Sequence, residues 1–274
     1  MIFPISLWMY LLVAIPFVYI IAISFMNKGT YGGVTVGFTI HNYMDILNPL
    51  YITTFAKSIG LSLAVTMICL LIAYPFSYFV AQKQVIQKKV LMAMVMIPFC
   101  VSMIIRLFSW TNILRAEGVI NNVLIKIGII KEPLKLVYNQ TGAMIGLIYM
   151  LLPFMVLPLY SSIEKLDPML LEAASDLGAR PIKSFLQVTL PLTKAGIFAG
   201  CVMVFIPSLG LYFVTDLMGV SKTLVIGNLI KNQFITARNW PLGAAMSVIL
   251  MLITLVMLKG YQAAGGSMED LNGM

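Results

Sequence analysis

Residues 170–191 read LLEAASDLGARPIKSFLQVTLP. This stretch sets Glu172, Asp176, Arg180 and Lys183 among Gly178, Pro181 and Pro191, in a chain that is otherwise strongly apolar. Just ahead of it, Asp167 is a good N-cap and Pro168 fits the first helical position, where a missing N–H costs nothing. Leu170, Leu171, Ala174 and Leu177 then line one face, while Glu172, Ser175 and Asp176 take the others. Gly178 suits a left-handed C-terminal cap. The pattern predicts a helix of about ten residues, about 15 Å long and too short to cross a bilayer. Pro181 opens a second short helix, with Phe185 and Leu186 apolar among Lys183, Ser184 and Gln187, and Pro191 fits the first turn of the span that follows. Such a stretch is a solvated connector or a docking surface. The careful capping and the apolar face favour docking.

Around this island the chain is a membrane protein. Of its 274 residues 60% are hydrophobic and only 10% charged, and the mean hydropathy is +0.96. A soluble domain carries about 25% charged residues. No Asp, Glu, Lys or Arg falls in 1–27, 58–82, 90–105, 136–163, 195–215 or 239–258. A helical crossing needs roughly 20 apolar residues, and the third run reaches that length if Arg106 sits near its outer end. The fold class is therefore all-α and polytopic, with six transmembrane helices predicted over about 5–26, 57–81, 89–113, 138–163, 191–215 and 240–259. The first run lacks the basic n-region of a signal peptide and reads as a retained helix. Six crossings put both termini on one side of the membrane.

The formal charge of +8 suits loops that meet anionic headgroups and does not require nucleic acid as a partner. Cys69, Cys100 and Cys201 all lie in predicted spans, and His41 is the single histidine, so neither a disulfide framework, a metal site nor histidine catalysis is expected. Lys83, Lys88 and Lys89 crowd the short loop after the second span and favour a cytoplasmic location for it, although basic residues are divided nearly evenly between the two sides. In 117–130, EGVINNVLIKIGII, the apolar Ile120, Val123, Leu124 and Ile127 fall opposite Asn121, Asn122 and Lys126. That spacing predicts a short amphipathic helix at the outer interface.

Glu172-Ala173-Ala174, three residues, Gly178, nine residues and Val188-Thr189-Leu190-Pro191 resemble the EAA motif of permease subunits in type I ABC importers. The family usually has Ile at the position of Val188. Three further segments, LLPFMVLPLYSSIEKLDPMLLEAASDLGA, DLMGVSKTLVIGNLIKNQF and NWPLGAA, resemble the B-type permease of spermidine/putrescine importers, and the likeness extends to about residue 262. The resemblance implies a MetI-like permease domain over 1–262 and a cytoplasmic tail over 263–274. It implies the plasma (inner) membrane of a prokaryote, with both termini cytoplasmic. Glu172, Ala173, Ala174, Asp176, Gly178 and Arg180 would couple the chain to an ATP-binding subunit homodimer. A second, C-type permease would complete a heterodimer, and an extracytoplasmic substrate-binding protein would deliver the polyamine.

The chain carries no GxxxxGK[ST] loop, and GVSKT at 219–223 lacks its core. The subunit is therefore expected to be no enzyme and to hold no cofactor, with ATP and magnesium on the partner ATPase. Gly196 and Gly200, at GxxxG spacing, predict close helix packing. Pro207 predicts a kink or a broken helix whose freed carbonyls face a passing cation. Asp216 is the leading cation attractor at the outer mouth, with Glu117 and Asp45 as further outer acids. Tyr43, Trp110, Tyr149, Tyr212 and Phe213 offer aromatic faces to a polyamine, and interfacial or packing roles are open to each. Arg106 pairs with one of the acids or snorkels. The outer loops carry an excess of positive charge, which sits awkwardly with a polycationic cargo. An importer permease for another solute remains open, as do a secondary transporter or channel acting alone and a non-transporting membrane scaffold.

Overall fold

The computed structural model describes residues 2–219 and 225–263. The tail beyond 263 and most of the GVSKT stretch therefore lie outside the described residues. In chain order the helices begin with α1 (Ile2–Ser24), followed by the two-residue antiparallel strands β1 (Asn27–Lys28) and β2 (Val34–Thr35). Next come α2 (His41–Ile46), α3 (Pro49–Ala81), α4 (Val85–Met96), α5 (Met103–Leu114), α6 (Val119–Lys126) and α7 (Gln140–Glu164). The rest are α8 (Pro168–Asp176), α9 (Pro181–Ser184), α10 (Leu190–Leu192), α11 (Lys194–Gly210), α12 (Tyr212–Met218), α13 (Ile226–Ile235) and α14 (Trp240–Ala263).

Among the described residues, four helices are long and apolar enough to cross a bilayer unbroken: α1, α3, α7 and α14. The third and fifth predicted spans are bent at places the sequence did not announce. Pro98 has no N–H for the carbonyl four residues back, so the chain tightens into a 3₁₀ turn over Ile97–Cys100. Val101 and Ser102 then leave the helical region, and α5 departs at 97° from the preceding run. In the fifth span, Pro191 removes another donor. The chain widens into a π turn over Phe185–Thr189 in which Leu190 N–H bonds Phe185 O, and the run Pro181–Leu192 meets α11 at 65°. Counting each bent pair as one crossing gives up to six spans. The fifth helix also stops at Gly210 instead of running on to 215, and Tyr212 starts a new helix after Leu211.

The chain divides into two compact units, one of 1–58 with 224–256 and one of 59–223 with 257–274, within what the sequence presents as a single domain over 1–262. In the first, Ile46, Leu229, Leu242, Ala245 and Met246 form a core that Tyr43, Tyr51 and Phe55 pack against. Asn42 Nδ2 donates to the carbonyls of Ser24 and Met26, each at 2.9 Å, and fixes the turn after α1. Ser58 Oγ accepts from Ile226 N–H at 2.9 Å and caps α13. The faces of α1 are exposed along most of its length, as suits a helix surrounded by lipid.

The second unit is built on α7, which Asn139 caps by accepting Gly142 N–H at 2.7 Å. α11 and α12 pack against it. A Cβ on Gly196 would stand 2.4 Å from Ser162 Cβ, and one on Gly200 would stand 2.6 Å from Met155 Sδ. The glycine pair thus lets α11 lie directly on α7, as the GxxxG spacing predicts. Ser77 Oγ donates to Val156 O at 3.3 Å and holds α3 to the same helix.

Helix α6 falls where an amphipathic helix is predicted, with Ile120 and Leu124 half-buried and Asn122 and Lys126 exposed, but part of the pattern is reversed. Asn121 is fully buried and bonds Arg115 O and both backbone groups of Leu134, while Val123 and Ile127 are exposed. In an apolar medium the carboxamide belongs inside, because only there does it find partners for each of its polar atoms.

Candidate functional site

The island of 167–192 is capped as its sequence dictates. Asp167 Oδ1 accepts Met169 N–H at 2.9 Å, and Pro168 takes the first helical position. At the other end Gly178 adopts φ +77°. Gly178 N–H bonds Ser175 O at 2.9 Å and Ala179 N–H bonds Ala174 O at 3.0 Å, the two closing bonds of a Schellman cap. No residue of α8 is buried. Glu172, Ala173, Asp176, Gly178 and Arg180 are exposed and Ala174 half-buried. Beside them Leu177 and Ile182 are 88% and 76% exposed. Apolar side chains held this far out, flanked by charges of both signs, make an exposed patch of the kind that marks interaction sites.

While α8 stands free, the second half of the island is rooted. The Phe185 ring meets Tyr74 and Tyr78 of α3 edge-on, at 5.6 and 6.1 Å between centroids. The Tyr74 hydroxyl shares a 2.9 Å hydrogen bond with Thr193 Oγ1, which can also donate to Thr189 O. On the other flank Lys88 Nζ lies 3.1 Å from Glu164 Oε1, which also accepts the Tyr160 hydroxyl at 2.6 Å. That cluster ties the start of α4 to the last residue of α7, three residues ahead of Asp167. Sequence reading missed both anchors. The signals present were an aromatic ring inside a polar island and opposite charges on two loops predicted to share one side.

Among the residues named for a translocation path, the structure brings Trp110 and Tyr149 into direct contact. Trp110 on α5 and Tyr149 on α7 lie 5.1 Å apart between ring centroids. Beside them Arg106 forms no ion pair with an acid among the described residues. Its guanidinium lies over the Phe99 ring at 4.4 Å and 6.0 Å from the Tyr149 ring, and its Nε and Nη1 are buried without an acceptor among the described residues. A groove of about 370 Å³ opens there.

Tyr212, Phe213 and Asp216 lie on α12, which packs against α5 and α7. Asp216 and Tyr212 are exposed and Phe213 is half-buried. Pro207 sits within α11, and its carbonyl accepts Leu211 N–H at 2.9 Å. The helix therefore passes through Pro207 and breaks one turn later. Glu117 lines a different cavity, of about 620 Å³, with Arg115, Lys135 and Tyr138. Tyr43 belongs to the first unit, where its hydroxyl shares a 2.8 Å hydrogen bond with Ser24 Oγ and its ring packs on Phe25. Asp45 is there too, 3.4 Å from His41.

The family described as "Binding-protein-dependent transport system inner membrane component" matches residues 73–263. The chain is 42% identical over 257 residues to the spermidine/putrescine transport system permease protein PotB of Escherichia coli (strain K12), covering 94% of each chain. It is 40% identical to the protein of that name in Haemophilus influenzae, covering 94% of this chain and 90% of the other. Among solved structures, a bacterial alginate ABC transporter in complex with its pentasaccharide-bound periplasmic protein superposes with a TM-score of 0.75 at 18% identity, covering 95% and 91% of the two chains. The MetNI methionine ABC transporter in an inward-facing form gives 0.53 at 16% identity, covering 79% and 97%. These two likenesses are of fold.

Proposed function

The chain belongs to the inner-membrane-component family of binding-protein-dependent transport systems, and on that premise we propose that it is the B-type permease of an ATP-driven importer for spermidine and putrescine. The observation that carries the cargo is 42% identity to PotB along 94% of both chains. The observation that supports the coupling is α8, an exposed, capped helix with Leu177 and Ile182 presented to a partner. In this reading the island enters a separate ATP-binding subunit. Glu172, Ala173 and Ala174 form the docking face, Asp176 and Arg180 bracket it with charge, and Gly178 sets the turn. ATP and its magnesium belong to that subunit, and this one moves solute without performing chemistry. A second permease completes the passage, and an extracytoplasmic binding protein supplies the cargo. The protein is a multi-pass component of a prokaryotic inner membrane, with the island and both termini facing the cytoplasm.

The rooting of the island explains how a push on α8 becomes movement of the spans. Phe185 and Thr193 connect it to α3, and the Glu164 cluster connects it to α4. A shift of the island is therefore passed to α3, and through Glu164 to the bent run that begins with α4, which has a break to flex about. The path is assigned to the α5, α7 and α12 corner, with Trp110, Tyr149, Tyr212 and Phe213 as sliding aromatic faces, Asp216 as the attracting acid, and the break after Pro207 as the yielding point. Glu117 is assigned to the approach to it. Weak contacts of this type suit passage, because a tight site in the membrane would hold the cargo back.

The test is uptake of labelled spermidine, putrescine and a set of anions into proteoliposomes that contain the complete complex. ATP-dependent uptake of the polyamines is expected, and Glu172→Lys should abolish it at unchanged expression. Uptake without ATP by this chain alone would falsify the importer reading. ATP-driven uptake of an anion in preference to polyamines would leave the importer standing and overturn its cargo.

A further inference from the structure

The geometry points to a phospholipid site at the break between α4 and α5, with the Arg106 guanidinium as receptor for the lipid phosphate. Arg106 presents two buried nitrogens, Nε and Nη1, that find no acceptor among the described residues. Its guanidinium lies over the face of Phe99 at 4.4 Å and 6.0 Å from the Tyr149 ring. Ring faces supply no hydrogen-bond acceptor for charged N–H groups that are buried and unpaired, so the arrangement calls for an oxyanion. No carboxylate lines the groove beside it.

The shape of the groove selects the kind of oxyanion. Its walls are Pro98, Val101, Ile105 and Ile113, and Val101 and Ile105 are 45% and 59% exposed. Ser109, also in the lining, already donates its hydroxyl to Ile105 O at 2.9 Å. A phosphate that accepts from Nε and Nη2 together is bound in the forked manner arginine favours. Its substituent must then run along an apolar wall. Inorganic phosphate, or a carboxylate carried on a polar chain, would leave that wall bare. An anionic head with a hydrocarbon tail covers it.

Depth agrees. The run 85–100 rises about 24 Å at 1.5 Å per residue, against a hydrocarbon core of about 30 Å. The chain then turns through 97°, so α5 lies across the end of that rise, near the headgroups. Trp110 beside Arg106 is a residue type that settles at this level. With phosphate in place, the fixed positive charge 6.0 Å from the Tyr149 ring is neutralised. Where Trp110 and Tyr149 serve as the polyamine path proposed above, that removes a repulsion from it.

The experiment is native mass spectrometry of the full chain within its complex, in a neutral detergent. It is challenged with phosphatidylglycerol, with diacylglycerol or with inorganic phosphate. Wild type should retain phosphatidylglycerol at least tenfold better than Arg106→Gln, retain diacylglycerol no better than that variant does, and lose no lipid to millimolar phosphate. Val101→Trp, which fills the groove and leaves Arg106 intact, should also lose retention about tenfold. Equal retention by wild type and Arg106→Gln overturns the site. Displacement by inorganic phosphate alone means an oxyanion site without a lipid and overturns it too. If Arg106→Gln fails to assemble, Val101→Trp decides alone, and undiminished retention by it sinks the proposal. Because the readout is bound lipid, failure here leaves the importer reading untouched, and failure of uptake leaves the lipid site untouched.

Discussion

At Gly178 no heavy atom stands within 4 Å of the place a Cβ would occupy. The position therefore demands a backbone conformation, φ +77°, and makes no demand on space. An L-residue in that region is strained by roughly 1–2 kcal/mol, and Asn bears it better than most. Gly178→Ala is accordingly expected to lower ATP-dependent uptake by the complete complex about three- to tenfold, with normal membrane insertion, and Gly178→Asn to recover most of the loss. Full activity in the alanine variant would mean that the turn does not set the docking geometry. Gly196 is the opposite case. It is crowded by Ser162 and the Pro158 carbonyl, so its smallness serves packing between α11 and α7, and any side chain there must push two helices apart.

Between elements, Phe185 carries the island to α3. Its ring meets two tyrosines edge-on, and such pairs are worth about 0.5–1.5 kcal/mol each beyond burial. The Lys88–Glu164 pair is partly exposed, and pairs of that kind contribute roughly 0–1 kcal/mol, so the aromatic root should matter more. Phe185→Ala is predicted to leave ATP hydrolysis by the complex largely intact while reducing the polyamine moved per ATP several-fold. Lys88→Ala should change that ratio less than twofold. A larger effect from Lys88 than from Phe185 would reverse the assignment of the transmitting contact.

The elements also show what the sequence can carry. Caps are local, so Asp167, Pro168 and Gly178 announce α8 within a residue or two, and Gly196 and Gly200 announce the packing of α11. Charge-free runs measure how much chain is apolar and say nothing of its direction. The 97° turn at Val101 and Ser102 was therefore illegible, although Pro98 marked the neighbourhood. The inward turn of Asn121 was missed for a related reason. Its three hydrogen bonds reach to Arg115 and Leu134, and no periodicity within α6 encodes partners outside it. The seat of Arg106 was illegible because it depends on Phe99 and Tyr149, one before the break and one on another helix.

Over the whole molecule, the number of crossings turns on whether the bent run 85–126 passes through the bilayer or returns to its starting side. Its hydropathy permits both, since length and composition alone identify it. The charges favour passage. Lys83, Lys88 and Lys89 lie at the near end, in a short loop where basic residues hold a segment on the cytoplasmic side. The Lys88–Glu164 contact also sets that end beside the last residue of α7, which leads directly into the island. α7 is a single unbroken span, so Lys126 and Leu177, on either side of it, must lie across the membrane from one another. Passage of the bent run then puts Gln84 on the side of Leu177. Single cysteines at Gln84, Lys126 and Leu177, in a chain whose Cys69, Cys100 and Cys201 are replaced by alanine, make this measurable with a membrane-impermeant maleimide. Inside-out vesicles should label the Gln84→Cys and Leu177→Cys variants, and right-side-out vesicles only Lys126→Cys. Labelling of Gln84→Cys together with Lys126→Cys would make the bent run re-entrant. It would reduce the crossings to an odd number, place the termini on opposite sides, and undo the argument that the island and both ends of the chain share the cytoplasm.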